Sequence, residues 1–505
     1  MTALVGALGG CSDGLSEFDG NGSSGLSGDP SGPGSTGAPS GSLDSSGEGP
    51  PDASTTSAVD DSTGDGASAA VALRLFNVTM DVADPRWDVL PASLSTVQVP
   101  AAYTLQAQVP DPVASVRFVL DGQPPVLDVV PPFRLSEGAG GEAESLELSV
   151  GAHVLQVEAF ASADGSGAPL ESVEESFELT RAGTLEQPAE HTIHRLWRTE
   201  SGDYLHRNDA GDFLDADGVV VISGEDVSVV QMGEDQGHLV VAGGAEIIEF
   251  AFIVLLPDGF DPAVPYPLVV FLHHGWHVYR GTDNDGLPLD APLLGGSRSL
   301  TQAPEQRSRF VSIVLVPQMR QTQEIDGFIH EWGTHTDLSN EAGTLVAGPE
   351  VSVNTQPVLD VIERLEQGSL VIDGQAPVVD PARIYLTGHS MGGLGTWDLL
   401  GRMPDRWAAA VPMAGFADHS TAADLVDTPI WAFHHEIDCY NTVVGTETMY
   451  ELITETHGGA RMNFTRQTFD TAGACDQAHF QTPQVAWGEQ SGLFEWIFGQ
   501  VNDRL

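Results

Sequence analysis

Ala382-Arg383-Ile384-Tyr385-Leu386-Thr387-Gly388-His389-Ser390-Met391-Gly392-Gly393 is the stretch that decides the fold. It runs a short apolar segment into Gly-x-Ser-x-Gly and then into a helical pattern. Ile384, Tyr385 and Leu386 show no polar alternation, as expected of a strand covered on both faces. Leu394, Trp397, Leu399 and Leu400 follow, and Pro404 ends the helix. A sharp strand-to-helix turn displays a serine hydroxyl only if small residues flank it, which is the role read for Gly388 and Gly392. The helix then points its first N–H groups at the same spot, where they favour a developing oxyanion.

Working outward, strand-like runs alternate with helical ones: Ile247–Leu256, Pro267–Leu272, Phe310–Pro317, Arg383–Gly388, Ala408–Pro412, Pro429–His434 and Met462–Phe469. Between them, Val358, Val361, Ile362 and Leu365 fall at i, i+3, i+4 and i+7, with Gly368 as the stop. Met449, Leu452 and Ile453 mark another helix, ended by Gly458-Gly459. This order predicts a doubly wound, mostly parallel α/β sheet over residues 186–505, with its chemistry at the carboxyl ends of the strands.

The segment from Arg383 through Ser390 to Asp398, with Pro404-Asp405-Arg406-Trp407-Ala408-Ala409-Ala410-Val411-Pro412 after it, resembles the α/β-hydrolase serine esterases. The nearest group is the secreted esterases related to feruloyl esterases and polyhydroxybutyrate depolymerases, with their relatives described as predicted peptidases. The resemblance covers about residues 245–500. It implies a serine hydrolase that cleaves carboxylic esters through an acyl-enzyme and uses no cofactor.

A serine hydroxyl needs a base to take its proton and a carboxylate to orient that base, in the chain order Ser, acid, His. After Ser390, Pro429-Ile430-Trp431-Ala432-Phe433-His434-His435-Glu436-Ile437-Asp438 is a strand ending in an acid. It resembles the family's His-Gly-x-x-Asp segment, with His435 in the glycine position. Asp438 is therefore the favoured acid, with Asp476 and Glu436 as alternatives. His479 is the histidine that follows the last strand; His457, at a helix end, fits a structural role. Met391 supplies one oxyanion donor. Phe271-Leu272-His273-His274-Gly275-Trp276 resembles the family's Leu-His-Gly-x loop, which makes Trp276 the second donor, with Gly275 giving it room. His273, His274 and His277 lie close enough together to raise a metal site as the rival chemistry. Neither His-Glu-x-x-His nor a cysteine-rich ligand set accompanies them, and no metal is expected.

The rest of the chain divides by composition. Residues 12–68 are almost entirely Ser, Gly, Asp, Pro, Thr and Ala. Such a segment cannot bury enough apolar surface to offset the entropy of ordering, and it reads as a disordered tether. Residues 69–182 alternate in short segments broken by Pro, Gly and Asp, with Val116, Phe118 and Leu120 on one face of their run and Leu155, Val157 and Ala159 likewise on one face of theirs. That pattern fits a seven-stranded, immunoglobulin-like β-sandwich serving as a spacer. Asp215-Ala216-Asp217-Gly218 reads as a plain turn, since the remaining ligand spacing of a calcium loop is missing.

The formal net charge is −52, and all 20 basic residues are arginine. A surface so acidic repels polyanions and disfavours nucleic acid as a partner; a high-salt habitat would account for the acidity, and GC-rich coding for the choice of arginine over lysine. Leu8-Gly9-Gly10-Cys11 resembles a bacterial lipobox. On that reading residues 1–11 are a shortened signal-like segment, Cys11 is the lipidated residue, and the protein is an exported envelope lipoprotein or secreted. Lipid at Cys11 leaves Cys439 and Cys475, which export would allow to form a disulfide between the loops of the acid and the base. The small-molecule or polymer-linked ester, the esterase-versus-peptidase choice and the oligomeric state are not written in these residues. A prolyl-oligopeptidase-like peptidase and a non-catalytic surface binding protein are the alternative functions.

Overall fold

Strands with no polar alternation need cover on both faces, and a computed structural model of the chain shows how they get it. It describes residues 71–505 except 111, 137–141, 181–192, 230–237, 258, 276–308, 321–322 and 489. Residues 12–68, read as a tether, and Cys11, read as a lipidation site, lie outside the described residues.

The central sheet is built on β1 (Ile193–Thr199), β2 (Glu246–Leu255), β3 (Tyr266–Leu272), β4 (Ile313–Gln318), β5 (Val379–His389), β6 (Ala409–Met413), β7 (Ile430–His435) and β8 (Met462–Gln467). Their spatial order is β1-β2-β4-β3-β5-β6-β7-β8. From β4 to β8 neighbouring strands are parallel, while β2 runs antiparallel to both β1 and β4. Every run singled out in the sequence coincides with one of these strands, to within four residues at either end.

Alternate residues of each strand serve opposite layers. Leu268, Val270 and Leu272 of β3, with Ile384 and Leu386 of β5, face a core that includes Val361, Ile362 and Leu365 of α1 (Gln356–Glu366) and Trp397 and Leu400 of α2 (Met391–Arg402). Met449 of α3 (Val443–Glu451) joins the same core. Val269, Phe271 and Tyr385 face the other way, onto Ala486 of α4 (Cys475–Ala486) and Phe494, Ile497 and Phe498 of α5 (Leu493–Gly499). The four apolar positions read for α1 are all fully buried, and Gly368 beyond it has φ 60°. A mostly parallel sheet in this strand order, with helices on both faces and Gly-x-Ser-x-Gly at the end of β5, is the α/β-hydrolase fold.

One element was not legible in the sequence. Between β4 and α1, residues 323–347 form a separate four-stranded antiparallel sheet. It brings Leu345 against Leu394 of α2 and Phe416. The Asp215–Gly218 segment is a turn, with Asp215 Oδ1 accepting from the backbone N–H groups of Asp217 and Val219.

Residues 72–180 form two facing sheets of four and five strands around Leu75, Leu105, Val116, Phe118, Leu155, Val157 and Phe177. This exceeds the seven strands expected, because short segments such as Val82–Ala83 and Phe133–Arg134 add pairings too brief to show a pattern. The sandwich is docked on the hydrolase rather than strung before it. Asn77, fully buried, donates through Nδ2 to Gly499 O at 2.7 Å and accepts from Met80 N through Oδ1. Arg86 bridges Asp84 at 2.6 Å and Asp380 of β5 at 3.1 Å, and Arg383 donates to Val97 O.

Asn77→Ala strands the Gly499 carbonyl and the Met80 amide in a dry contact, and is expected to cost about 1–3 kcal/mol. A urea melt would show this as a lower midpoint; an unchanged midpoint would mean that the contact does not hold the sandwich to the hydrolase.

Candidate active site

The turn after β5 is shaped by what cannot fit into it. A Cβ on Gly392 would lie 2.0 Å from Leu272 O, one on Gly388 2.3 Å from Gly392 O, and one on Gly393 2.4 Å from Met413 O. In each case the obstacle is backbone, so only glycine lets α2 pass this close to the ends of β3 and β6. Between these glycines Ser390 takes φ 58° and ψ −119°, a conformation sparsely populated for a residue with a side chain. Its amide donates to Met413 O at 3.0 Å, and its carbonyl accepts from Leu394 N at 2.9 Å. Met391 opens α2, so its N–H lies outside the helical ladder.

Asp438 stands in the turn after β7. Its Oδ1 accepts from Tyr440 N at 2.9 Å and Asn441 N at 3.0 Å, and its Oδ2 faces His479 Nδ1 at 2.6 Å and His434 Nε2 at 3.5 Å. Burial alone would raise the carboxyl. The hydrogen bonds from His434 and His479 outweigh it and hold Asp438 well below the ordinary carboxylate range. Of the alternative acids, Glu436 is exposed and 3.7 Å from Arg466, and Asp476 is exposed in the first turn of α4. His457 caps the turn after α3 and is exposed.

His479 sits in α4 and is buried, as is His389, the residue before the serine. His389 Nε2 lies 2.9 Å from His479 O, and the two rings are 4.8 Å apart. Burial and the neighbouring His479 push His389 down to about 3, so its ring is neutral at physiological pH and meets His479 as a hydrogen-bonding group. Tyr440 and Phe480 pack on His479 at 4.9 and 5.0 Å between centroids.

Cys439 follows the acid directly and Cys475 opens the helix of His479; the structure joins them in a disulfide with Cα atoms 5.4 Å apart. His435, in the family's glycine position, is buried, with Nε2 3.0 Å from Phe469 O and its ring 4.3 Å from that of Phe469. It therefore ties the acid turn to the segment after β8.

The loop after β3 is fixed by His273, whose Nε2 accepts from Met319 N at 2.9 Å while Nδ1 lies 2.8 Å from His274 O. Trp332 Nε1 donates to His273 O at 2.9 Å. These bonds give His273 a structural role. Trp276, the second oxyanion donor read from the sequence, and His277 lie outside the described residues. Among the described residues, the Met391 side chain lies 3.8 Å from where a Cβ on Gly275 would stand.

Sequence reasoning passed over His389, His434, Tyr440 and Phe480 as members of this cluster. His434 carried a usable signal, since it precedes the acid by four residues at the end of a buried strand. The direction in which the residue beside a serine points is not readable from the chain.

A model of the prolyl oligopeptidase family (Peptidase_S9) matches residues 368–455, which span Ser390 and Asp438 and stop short of His479. No curated protein matches the chain. Among solved structures, a thermostable esterase is 17% identical, with 81% of this chain and 99% of that chain covered and a TM-score of 0.39. An S-formylglutathione hydrolase from Agrobacterium tumefaciens is 12% identical over 60% of this chain and 99% of its own, with a TM-score of 0.33. A feruloyl esterase module from Clostridium thermocellum, complexed with sinapinate, is 15% identical over 50% and 83%, with a TM-score of 0.29.

Two outcomes follow from this geometry. Reducing the disulfide, or Cys439→Ser with Cys475→Ser, frees a loop of 36 residues and is expected to cost roughly 3–4 kcal/mol in a denaturant melt. Because the Asp438 carboxyl is depressed, its contribution to stability is full above the unfolded-state value of about 3.9 and is lost only as pH falls through the lower folded value. Asp438→Asn should therefore narrow its stability gap to the native chain only in strong acid; a gap that closes near pH 6 would contradict the assigned contacts.

Proposed function

We propose that this chain is a serine hydrolase that cleaves carboxylic esters through Ser390, Asp438 and His479. The observation that carries the reading is the 2.6 Å contact of His479 Nδ1 with Asp438 Oδ2, at the sheet edge where β5 delivers Ser390. Asp438 fixes the tautomer in which Nδ1 carries the proton, leaving Nε2 as the base. That nitrogen takes the Ser390 proton as Oγ bonds to the acyl carbon, and the carbonyl oxygen becomes an oxyanion. The Met391 N–H, at the positive end of α2, stabilises that charge, with Trp276 as the second donor. The ester C–O bond then breaks, His479 gives its proton to the departing alcohol, and an acyl-enzyme remains. Water, deprotonated by His479, attacks that acyl-enzyme and frees the acid and Ser390.

Further readings belong to the same proposal: an immunoglobulin-like sandwich over residues 69–182, a disordered 12–68 tether, lipidation at Cys11 and export. The Cys439–Cys475 disulfide supports the last, since such bonds persist outside the reducing cytosol. Among the described residues no helix is long and apolar enough to cross a membrane. The prolyl oligopeptidase match favours a second activity on the same residues, peptide-bond cleavage.

Ser390→Ala is expected to lower turnover of a short p-nitrophenyl ester by about 10⁴-fold or more while the melting temperature holds. Retained turnover would remove the proposal. A peptide anilide cleaved faster than the ester would transfer it to the peptidase reading.

A further inference from the structure

His434 is fully buried at the end of β7, and each of its ring nitrogens faces oxygen. Nε2 lies 2.8 Å from Asn441 O and 3.5 Å from Asp438 Oδ2, neither of which can donate when the acid is ionised. Nδ1 lies 2.8 Å from Thr446 Oγ1, and that hydroxyl gives its single proton to Gly415 O at 2.9 Å. With the threonine proton committed, Nδ1 meets a lone pair. Satisfying all four oxygens requires a proton on both ring nitrogens. A buried cation is tolerated only beside an anion, and Asp438, with no exposed side-chain surface, is that anion.

We infer that His434 is a positioning residue of the site, protonated on both ring nitrogens, which holds Asp438 Oδ2 against His479 and tempers the base. The inference rests on the proposed triad. Asn441 supports the arrangement from the other side, because its Nδ2 donates to Ala414 O at 2.7 Å while its backbone N–H reaches Asp438 Oδ1. The charged or titratable groups around His434 among the described residues are Asp438 in its own turn, His479 of α4 through that acid, His389 at the end of β5, which feels its charge, and Arg466, its register partner on β8, whose charge is met by Glu447 of α3 at 3.0 Å. His389 is neutral at working pH, so the balance lies among His434, Asp438 and His479.

The sign of the effect is fixed. With His434 cationic, Asp438 divides its charge between two imidazoles. Removing that cation leaves the whole carboxylate field on His479, which then holds its proton to higher pH. The acid limb of kcat/KM, which reports the free base, should move upward.

The experiment joins two readouts on the full chain. In the native protein, selective nitrogen labelling of histidine should show two slowly exchanging ring N–H signals that vanish in His434→Gln. In His434→Gln and in Thr446→Val, which withdraws the acceptor from Nδ1, the acid limb measured with a short ester should rise by roughly one pH unit with little change in KM. A single ring N–H on His434, or activity lost with the limb unmoved, overturns the inference and leaves a packing role only. Should His434→Gln fail to fold, Thr446→Val assigns the signals and the limb in its place. The spectroscopic arm is independent of turnover: if Ser390→Ala kept full activity the triad would fall, while the two ring N–H signals would still report the charge of His434.

Discussion

The site depends on one close approach of backbone to backbone, where the first turn of α2 presses on the ends of β3 and β6 with no side chain between them. Leu272 O and Met413 O occupy the space that side chains on Gly392 and Gly393 would need. The contact leaves Ser390 no relaxed conformation, because the chain must reverse within the residue that joins strand to helix. Tight packing also brings Gly275, in the loop after β3, beside Met391, so Ser390 and the groups proposed to receive the developing charge are set by one constraint. The cost of the strained φ is offset by the buried layers on either side, where α1 and α2 cover one face and α4 and α5 the other.

Around this steric device lies an electrostatic one. The molecule carries a formal charge of −52, yet the groups gathered behind the serine are mainly histidines, His389, His434, His435 and His479, all buried. Each has a partner that fixes its orientation: a carbonyl for His389 and His435, a carbonyl, a hydroxyl and a carboxylate for His434, the carboxylate for His479. Asp438 is correspondingly saturated, with two backbone amides on one oxygen and two imidazoles on the other. A carboxylate held from four directions has little freedom to reorient, which suits the orienting role proposed for it.

The sheet was readable because parallel strands buried on both faces leave runs such as Leu268–Leu272 with no polar interruption. The elbow was readable because its glycines are a steric necessity. The antiparallel insert at 323–347 was not. Its strands are short and its buried residues, such as Trp332 and His335, are spaced by turns rather than by a repeating period. Asp438 and His479 could be chosen by chain order, which topology imposes. The histidines that support them could not, since their roles come from contacts between segments as distant as His389 and His479. The sandwich showed its alternation but not its attachment, because Asn77 and Arg86 look like ordinary surface residues until Gly499 and Asp380 are found opposite them.

That attachment bears on selectivity. The sandwich meets β5 at Asp380 and Arg383, near the start of the strand, whereas Ser390 follows its far end. Six extended residues lie between Arg383 and the serine, roughly 20 Å along the strand. A module that grips β5 there sits at the opposite end of the strand from Ser390. Under the proposed function, its influence on catalysis would run through the rigidity of the strand that leads to Ser390, and the choice of substrate would fall to the segments around that residue.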